Sequence, residues 1–245
     1  MKTNITHTVR STIKTLDAGI VISVSDFPIA ARSPKSVSLI LNALVSEGIL
    51  RKLSKGRFYK PETDKSCELQ PTEFQVIKDL LIKNGRLIGY TTGYSVFNDL
   101  LLTTKASDII QIGMRREKRP IVRGYGLYHI HFVKQENIIT KENISLLRLL
   151  DCLRFFKIIP DTTPDKACRR LLQHIQELDR QHIAEMKELA LNYTPQAIAL
   201  FGAMLETLFP DEDTSAMYQV LNPITDYKLS ISESVLPTQK KWNIR

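Results

Sequence analysis

The stretch that most constrains the fold runs from Ser33 to Pro61, SPKSVSLILNALVSEGILRKLSKGRFYKP. Ser33 suits a helix N-cap, and Pro34 suits the first helical position, where its missing N–H costs nothing. Val37, Ile40, Leu41, Leu44 and Val45 recur at helical spacing and predict one buried face. The other face carries Lys35, Ser36, Ser38, Asn42 and Ser46, which are small or polar. Gly48 is placed to end the helix in a left-handed conformation. Ile49 to Leu53 then reads as a strand, Ser54-Lys55-Gly56 as a turn, and Arg57 to Lys60 as the returning strand, closed by Pro61. A helix with a polar face followed directly by a basic hairpin has the layout of a winged helix-turn-helix.

Upstream residues fit that layout. Thr6–Leu16 predicts a short amphipathic helix with Val9, Ile13 and Leu16 inward, and Asp17-Ala18-Gly19 stops it. Ile20–Ile22 is a brief extended run. Val24–Pro28 looks like the start of a short second helix, with Ser25 or Asp26 as its cap and Phe27 and Ile29 inward. Ala30-Ala31-Arg32 turns into the Ser33 helix. Such a domain is expected over residues 1–65.

Charge supports a polyanionic partner for this half. The net charge is +8, and it is unevenly spread: residues 1–65 hold 11 Lys/Arg against 5 Asp/Glu, residues 66–135 hold 10 against 6, and residues 136–245 hold 13 against 15. Arg51, Lys52, Lys55 and Arg57 would meet phosphates. Arg32, Lys35, Ser36, Ser38 and Asn42 would lie at or in the major groove, where Asn suits adenine and Lys suits guanine.

Glu62–Gln70 is polar and aperiodic and reads as an interdomain linker. A second, α+β domain is expected over 71–245. It begins with a helix over Glu73–Lys83, with Phe74, Ile77, Leu80 and Leu81 on one face. An extended Arg86–Tyr90 and a helix over Tyr94–Leu102 follow. Ala106–Gly113 and Gly126–Val133 read as strands flanking a basic loop with Arg115, Arg116, Lys118, Arg119 and Arg123. That loop would extend a DNA surface, meet an acidic partner, or simply be solvated. Beyond it come an apolar helix over Asn143–Phe156, a long helical segment over Lys166–Asn192, and a helix from Thr194-Pro195 through Phe209. The last 25 residues are expected to pack as a strand or to be partly mobile.

No catalytic signature emerges. Gly85, Gly89 and Gly93 lack the pattern of a phosphate loop and read as turns and close packing. His129 and His131 share a strand face without a third metal ligand placed by spacing. Asp161, Asp165 and Asp211-Glu212-Asp213 sit beside prolines and read as caps and turns. Ser95 has no base at a motif-like distance. Cys67, Cys152 and Cys168 are odd in number, form no C-x-x-C pair, and read as reduced cytosolic thiols. The N-terminus lacks an apolar signal core, and no run of about 18 apolar residues exists, so a cytoplasmic protein with no membrane partner, metal or cofactor is expected.

The segment NALVSEGILRKLSKGRFYKP, together with Gly19 and Asp26-Phe27, resembles the winged-helix domain of the AbiEi-type antitoxins of type IV toxin–antitoxin systems. Gly89, Tyr90, Thr92, Gly93 and Ser95 resemble a helix entry in the second part of that family. Where commoner members carry H-G-L-T, this chain has Asn98-Asp99-Leu100-Leu101-Leu102-Thr103, a departure that leaves the subgroup and its partner open. The resemblance implies a repressor of its own promoter, binding inverted repeats. It also implies a C-terminal domain that counters a nucleotidyltransferase-like toxin, with direct contact between the two open. A winged helix serving protein–protein assembly, a stand-alone repressor with no toxin partner, and an enzyme with an unrecognised site are the alternatives.

Overall fold

The computed structural model describes residues 5–64, 67–124 and 127–245. Helices and small antiparallel sheets make it a mixed α+β structure. The chain divides into two compact units: the residues up to Leu80 together with Ile121–His129, and Leu81–Pro120 together with the residues from Ile130 onward.

The first unit opens with α1 (Ile5–Thr15) and β1 (Val21–Ser23). Where a short second helix was expected, two 3-10 turns form, Val24–Asp26 and Pro28–Ala31. The break falls at Pro28, which has no N–H to continue the first turn. Asp26 accepts from the Ser23 N–H (2.6 Å) and hydroxyl (2.9 Å), and so fixes the entry. Next comes α2 (Pro34–Ser46), which stops where Gly48 adopts φ +77°, a conformation costly for any residue with a Cβ. Ser33 occupies the N-cap position, but its side chain makes no capping bond. Val37, Leu41 and Leu44 are fully buried, with Ile40 and Val45 at the margin of the same cluster. That cluster also takes in Val9, Ile13, Ile22, Phe27, Leu50 and Phe58.

The hairpin β2 (Arg51–Ser54) and β3 (Arg57–Tyr59) turns at Gly56, φ +73°. Strand β3 is central, giving the order β1-β3-β2. A register shift between Lys52 and Ser54 is a bulge, which bends the hairpin. Within the expected linker, β4 (Glu62–Asp64) pairs antiparallel with β5 (Cys67–Leu69). Ladder hydrogen bonds use backbone groups, so pairing needs no apolar periodicity. Lys65, Ser66 and the Cys67 side chain lie outside the described residues. Helix α3 (Glu73–Leu81) is shorter than predicted, and Phe74 is half exposed instead of facing inward. On this helix Gln75 accepts from the Val21 N–H (3.3 Å), which ties α3 to β1.

In the second unit, Asn84 (φ +51°) and Gly85 (φ +73°) turn the two-residue strands β6 (Ile82–Lys83) and β7 (Arg86–Leu87). Both left-handed values match the turn that suits a two-residue hairpin. Strands β8 (Gly89–Thr92) and β9 (Ile109–Met114) pair antiparallel in the register Tyr90↔Gly113 and Thr92↔Gln111. Gly113 admits the Tyr90 ring, because a Cβ there would lie 2.5 Å from it. Helix α4 (Tyr94–Asp99) follows Gly93. The amide at the start of α4, Tyr94 N–H, is taken by the Gln111 side chain (3.1 Å); of the three spaced glycines, Gly85 lies in the β6–β7 turn, Gly89 in β8, and Gly93 against the Gln111 side chain. In sequence between β9 and β11 (Tyr128–Lys134) comes a short strand not foreseen, β10 (Ile121–Arg123), which groups with the first unit. Gly126, the expected start of the last strand, lies outside the described residues.

The helical core is built on α5 (Ile144–Arg154), α6 (Pro164–Gln176), α7 (Arg180–Ala190) and α8 (Pro195–Leu208). The long helical segment expected over 166–192 consists of two helices, α6 and α7. The separation falls where Asp179 caps α7 by accepting from the His182 N–H (2.8 Å). Helix α8 is buried from Ala197 to Leu205. The tail neither forms a strand nor lies loose. After α9 (Ser215–Gln219), Tyr227, Leu229, Ile231, Leu236, Trp242 and Ile244 all enter the core, and one isolated bridge joins Tyr227 to Ile244. Asp165 holds the tail by accepting from Ser232 N–H (2.8 Å) and Oγ (2.7 Å). Trp242 covers Gly202, where an added Cβ would sit 2.1 Å from the indole.

One polar group lies at the heart of this unit. Asp151 is fully buried and accepts from Tyr90 Oη (2.7 Å) and Thr92 Oγ1 (2.6 Å) through Oδ2. Gln135 Nε2 donates to the hydroxyls of Tyr90 and Tyr193, both at 2.8 Å. Oδ1 of Asp151 has no partner among the described residues. Loss of solvent raises the Asp151 pKa, against the opposing pull of its hydrogen bonds from Thr92 and Tyr90.

Candidate nucleic-acid interface

Burial of Val37, Leu41 and Leu44 fixes the rotation of α2 and so decides which side chains face solvent. Lys35 and Asn42 are exposed, and Ser36 and Ser38 are half-buried. Asn42 Nδ2 donates to the Ser38 carbonyl (2.7 Å), leaving Oδ1 outward as an acceptor. Arg32 is exposed just ahead of the helix. Sequence reasoning passed over Leu39, which is 72% exposed between Lys35 and Asn42. The signal was present: two positions past Val37 is about 200° around a helix, opposite the buried stripe.

The far end of α2 is pinned to α1 by Arg10 and Glu47, a two-pronged pair at 2.5 and 2.8 Å. That hydrogen bond and the arginine's charge hold the Glu47 carboxyl below its ordinary value. Beside the helix, the hairpin exposes Arg51, Lys52 and Lys55, while Leu53 and Phe58 are buried beneath it. Arg57 does not join them. Its guanidinium turns to Asp79 on α3, a residue sequence reasoning did not single out, since pairing across 22 positions leaves no local pattern. Burial, then the neighbouring Arg123 charge, lower the Arg57 pKa.

The second basic group also separates. Arg115, Arg116, Lys118 and Arg119 are exposed. Arg123, expected on the same surface, is 5% exposed: it donates to the Val76 carbonyl and pairs with Asp79. In β10 it is the buried residue of the strand and lies against α3. His129 is exposed and His131 half-buried, and no group of three or more His, Cys, Asp or Glu among the described residues could hold a metal ion. Cys152 and Cys168 are buried free thiols, their pKa values raised by burial. No helix among the described residues is long and apolar enough to cross a membrane.

No protein-family model matches the chain, and no curated protein matches it. Among solved structures, the RV2827C protein from Mycobacterium tuberculosis is similar at a TM-score of 0.49 and 12% identity, over 97% of this chain and 89% of that one. A likeness at that level carries no function across.

Proposed function

We propose that the chain is a non-enzymatic transcriptional regulator whose first unit binds double-stranded DNA as a winged helix-turn-helix. Helix α2 enters the major groove, and the β2–β3 hairpin is the wing. The observation that carries this reading is the outward face of α2, Lys35 and Asn42, beside a hairpin exposing Arg51, Lys52 and Lys55. Exposed Leu39 suits a thymine methyl in the same groove. Arg57 drops out of the contact set, because Asp79 already occupies it.

The narrower reading rests on the sequence resemblance. The chain is the antitoxin of a type IV pair: it represses its own operon through inverted repeats and counters a nucleotidyltransferase-like toxin through its second unit, in the cytoplasm and without a cofactor. The test is binding to the chain's own upstream DNA across a salt series, with wild type and an Arg51/Lys52/Lys55→Ala variant. Loss of affinity with a flatter salt dependence supports the wing; unchanged affinity and slope would sink it. Co-transcription with a nucleotidyltransferase gene separates the antitoxin from a stand-alone repressor. Leu39 is also the observation that favours a protein-binding winged helix, which predicts no salt-dependent DNA binding.

A further inference from the structure

The second unit contains a cleft that the DNA reading does not use. Its volume is 560 Å³, within the range of specific ligand sites. Its lining is in part apolar, from Leu87, Ile88, Met114, Ile138 and Ile139, and in part cationic, from Lys83, Arg115, Arg116 and Lys118. No carboxylate of the described residues lines it. Glu117 follows Arg116 in the loop but is outside the lining, and the nearby Glu136 is engaged by Lys134 at 2.7 Å.

The walls are held in place. Lys83 and Leu87 belong to the β6–β7 hairpin, whose end is fastened by Ile88 N–H to the Leu81 carbonyl (2.7 Å). Met114 closes β9, and its carbonyl accepts from Gln135 N–H (2.9 Å). Ile138 is 68% exposed, yet its backbone is clamped: Asn143 Nδ2 donates to the Ile138 carbonyl (2.9 Å), and Asn137 Nδ2 donates to the Leu189 carbonyl (3.0 Å). Lys118 stacks over Phe132, 5.6 Å from the ring centroid. An exposed isoleucine on a fixed loop, beside the exposed Arg115, Arg116 and Lys118, is preorganised for a partner and loses little freedom on binding.

The lining selects among polyanions. Duplex DNA would satisfy the cations but present no apolar surface to the five aliphatic side chains. Single strands and nucleotides seek aromatic faces for their bases, and none of the lining residues is aromatic. A protein segment bearing carboxylates beside aliphatic side chains satisfies both halves, with Arg115 and Arg116 suited to two-pronged carboxylate contacts. We propose that this cleft docks an acidic, amphipathic segment of a partner protein.

The full chain can be tested by fluorescence anisotropy at moderate salt. The probe is a labelled 16-residue helix-forming peptide of Glu with Leu at alternating three- and four-residue spacing. Controls are the same peptide with Gln for Leu, a single-stranded 16-mer and a 16-base-pair duplex. The Leu/Glu peptide should bind at least tenfold more tightly than the Gln control. Arg116→Glu with Lys118→Glu, and separately Ile138→Asp, should each weaken it at least tenfold. These side chains are exposed, so folding should survive; thermal melting checks this, and Ile138→Ser serves if the aspartate melts early. Equal binding of the two peptides, no binding of the Leu/Glu peptide, or oligonucleotide binding that Ile138→Asp weakens equally would each overturn the proposal.

Discussion

Asp79 holds Arg123 with both carboxylate oxygens, Oδ1 to Nη1 at 2.7 Å and Oδ2 to Nη2 at 3.0 Å. Arg57 reaches the same carboxylate from β3. One acid on α3 therefore neutralises two arginines that the sequence offers as surface cations. Removing it strands a guanidinium that is 5% exposed. Asp79→Ala should lower unfolding stability by about 3 kcal/mol, the lower end for broken buried pairs because the carboxylate itself is partly exposed. Arg123→Met, which removes the buried charge itself, should cost clearly less. Urea unfolding of the two variants decides; equal losses would contradict the pairing.

The same geometry takes Arg57 out of the exposed basic set of the hairpin. Each of Arg51→Ala, Lys52→Ala and Lys55→Ala should flatten the logarithmic salt dependence of DNA binding by about 0.9 for every phosphate left without its cation. Arg57→Ala should lower the melting temperature and leave the slope nearly unchanged. A steep slope change for Arg57, with intact stability, would reverse the assignment.

Asp151 predicts a pH dependence. Its folded-state pKa is raised above the ordinary 3.8, so its stabilising contribution is complete below that value and is lost as pH rises through the folded value. Asn at this position has nothing to ionise. The stability of Asp151→Asn relative to wild type should therefore improve as pH rises above about 4 and level off once the folded-state value is passed. Denaturant midpoints of both proteins measured in parallel cancel the other titrating groups, and a flat difference would contradict the assignment.

The packing of Trp242 on Gly202 predicts two losses from opposite causes. Gly202→Ala puts a methyl into the indole and should cost about 1–3 kcal/mol by overpacking. Trp242→Ala opens a cavity over α8 and should cost about 3–5 kcal/mol. Near-neutral behaviour of the glycine variant would show that the tail yields.

Local chemistry was readable where it was self-contained. Pro34 and Gly48 bracket α2, and its apolar spacing marks the buried stripe, because helix boundaries and amphipathicity are written in consecutive residues. Pro28 and Asp179 were harder: each breaks a helical pattern, but apolar spacing runs through both and masks the interruption. The β4–β5 pair left no trace, since backbone pairing places little demand on side chains. The exposure expected of Lys35 and Asn42 on α2, and of Lys52 and Lys55 on the hairpin, is present. The same expectation failed at Arg57 and Arg123, because a cation's partner, here Asp79, is set by the tertiary fold and not by spacing.

The packing of the tail onto α8 bears on how the chain is born. A nascent second unit lacks Tyr227, Trp242 and Ile244 until well after α8 has been made, so that helix waits with an open face while residues 227–245 are still being added. Much of the first unit, from α1 to α3, has left the ribosome long before then. Synthesis thus delivers α2 and the basic hairpin early and completes the cover of α8 last.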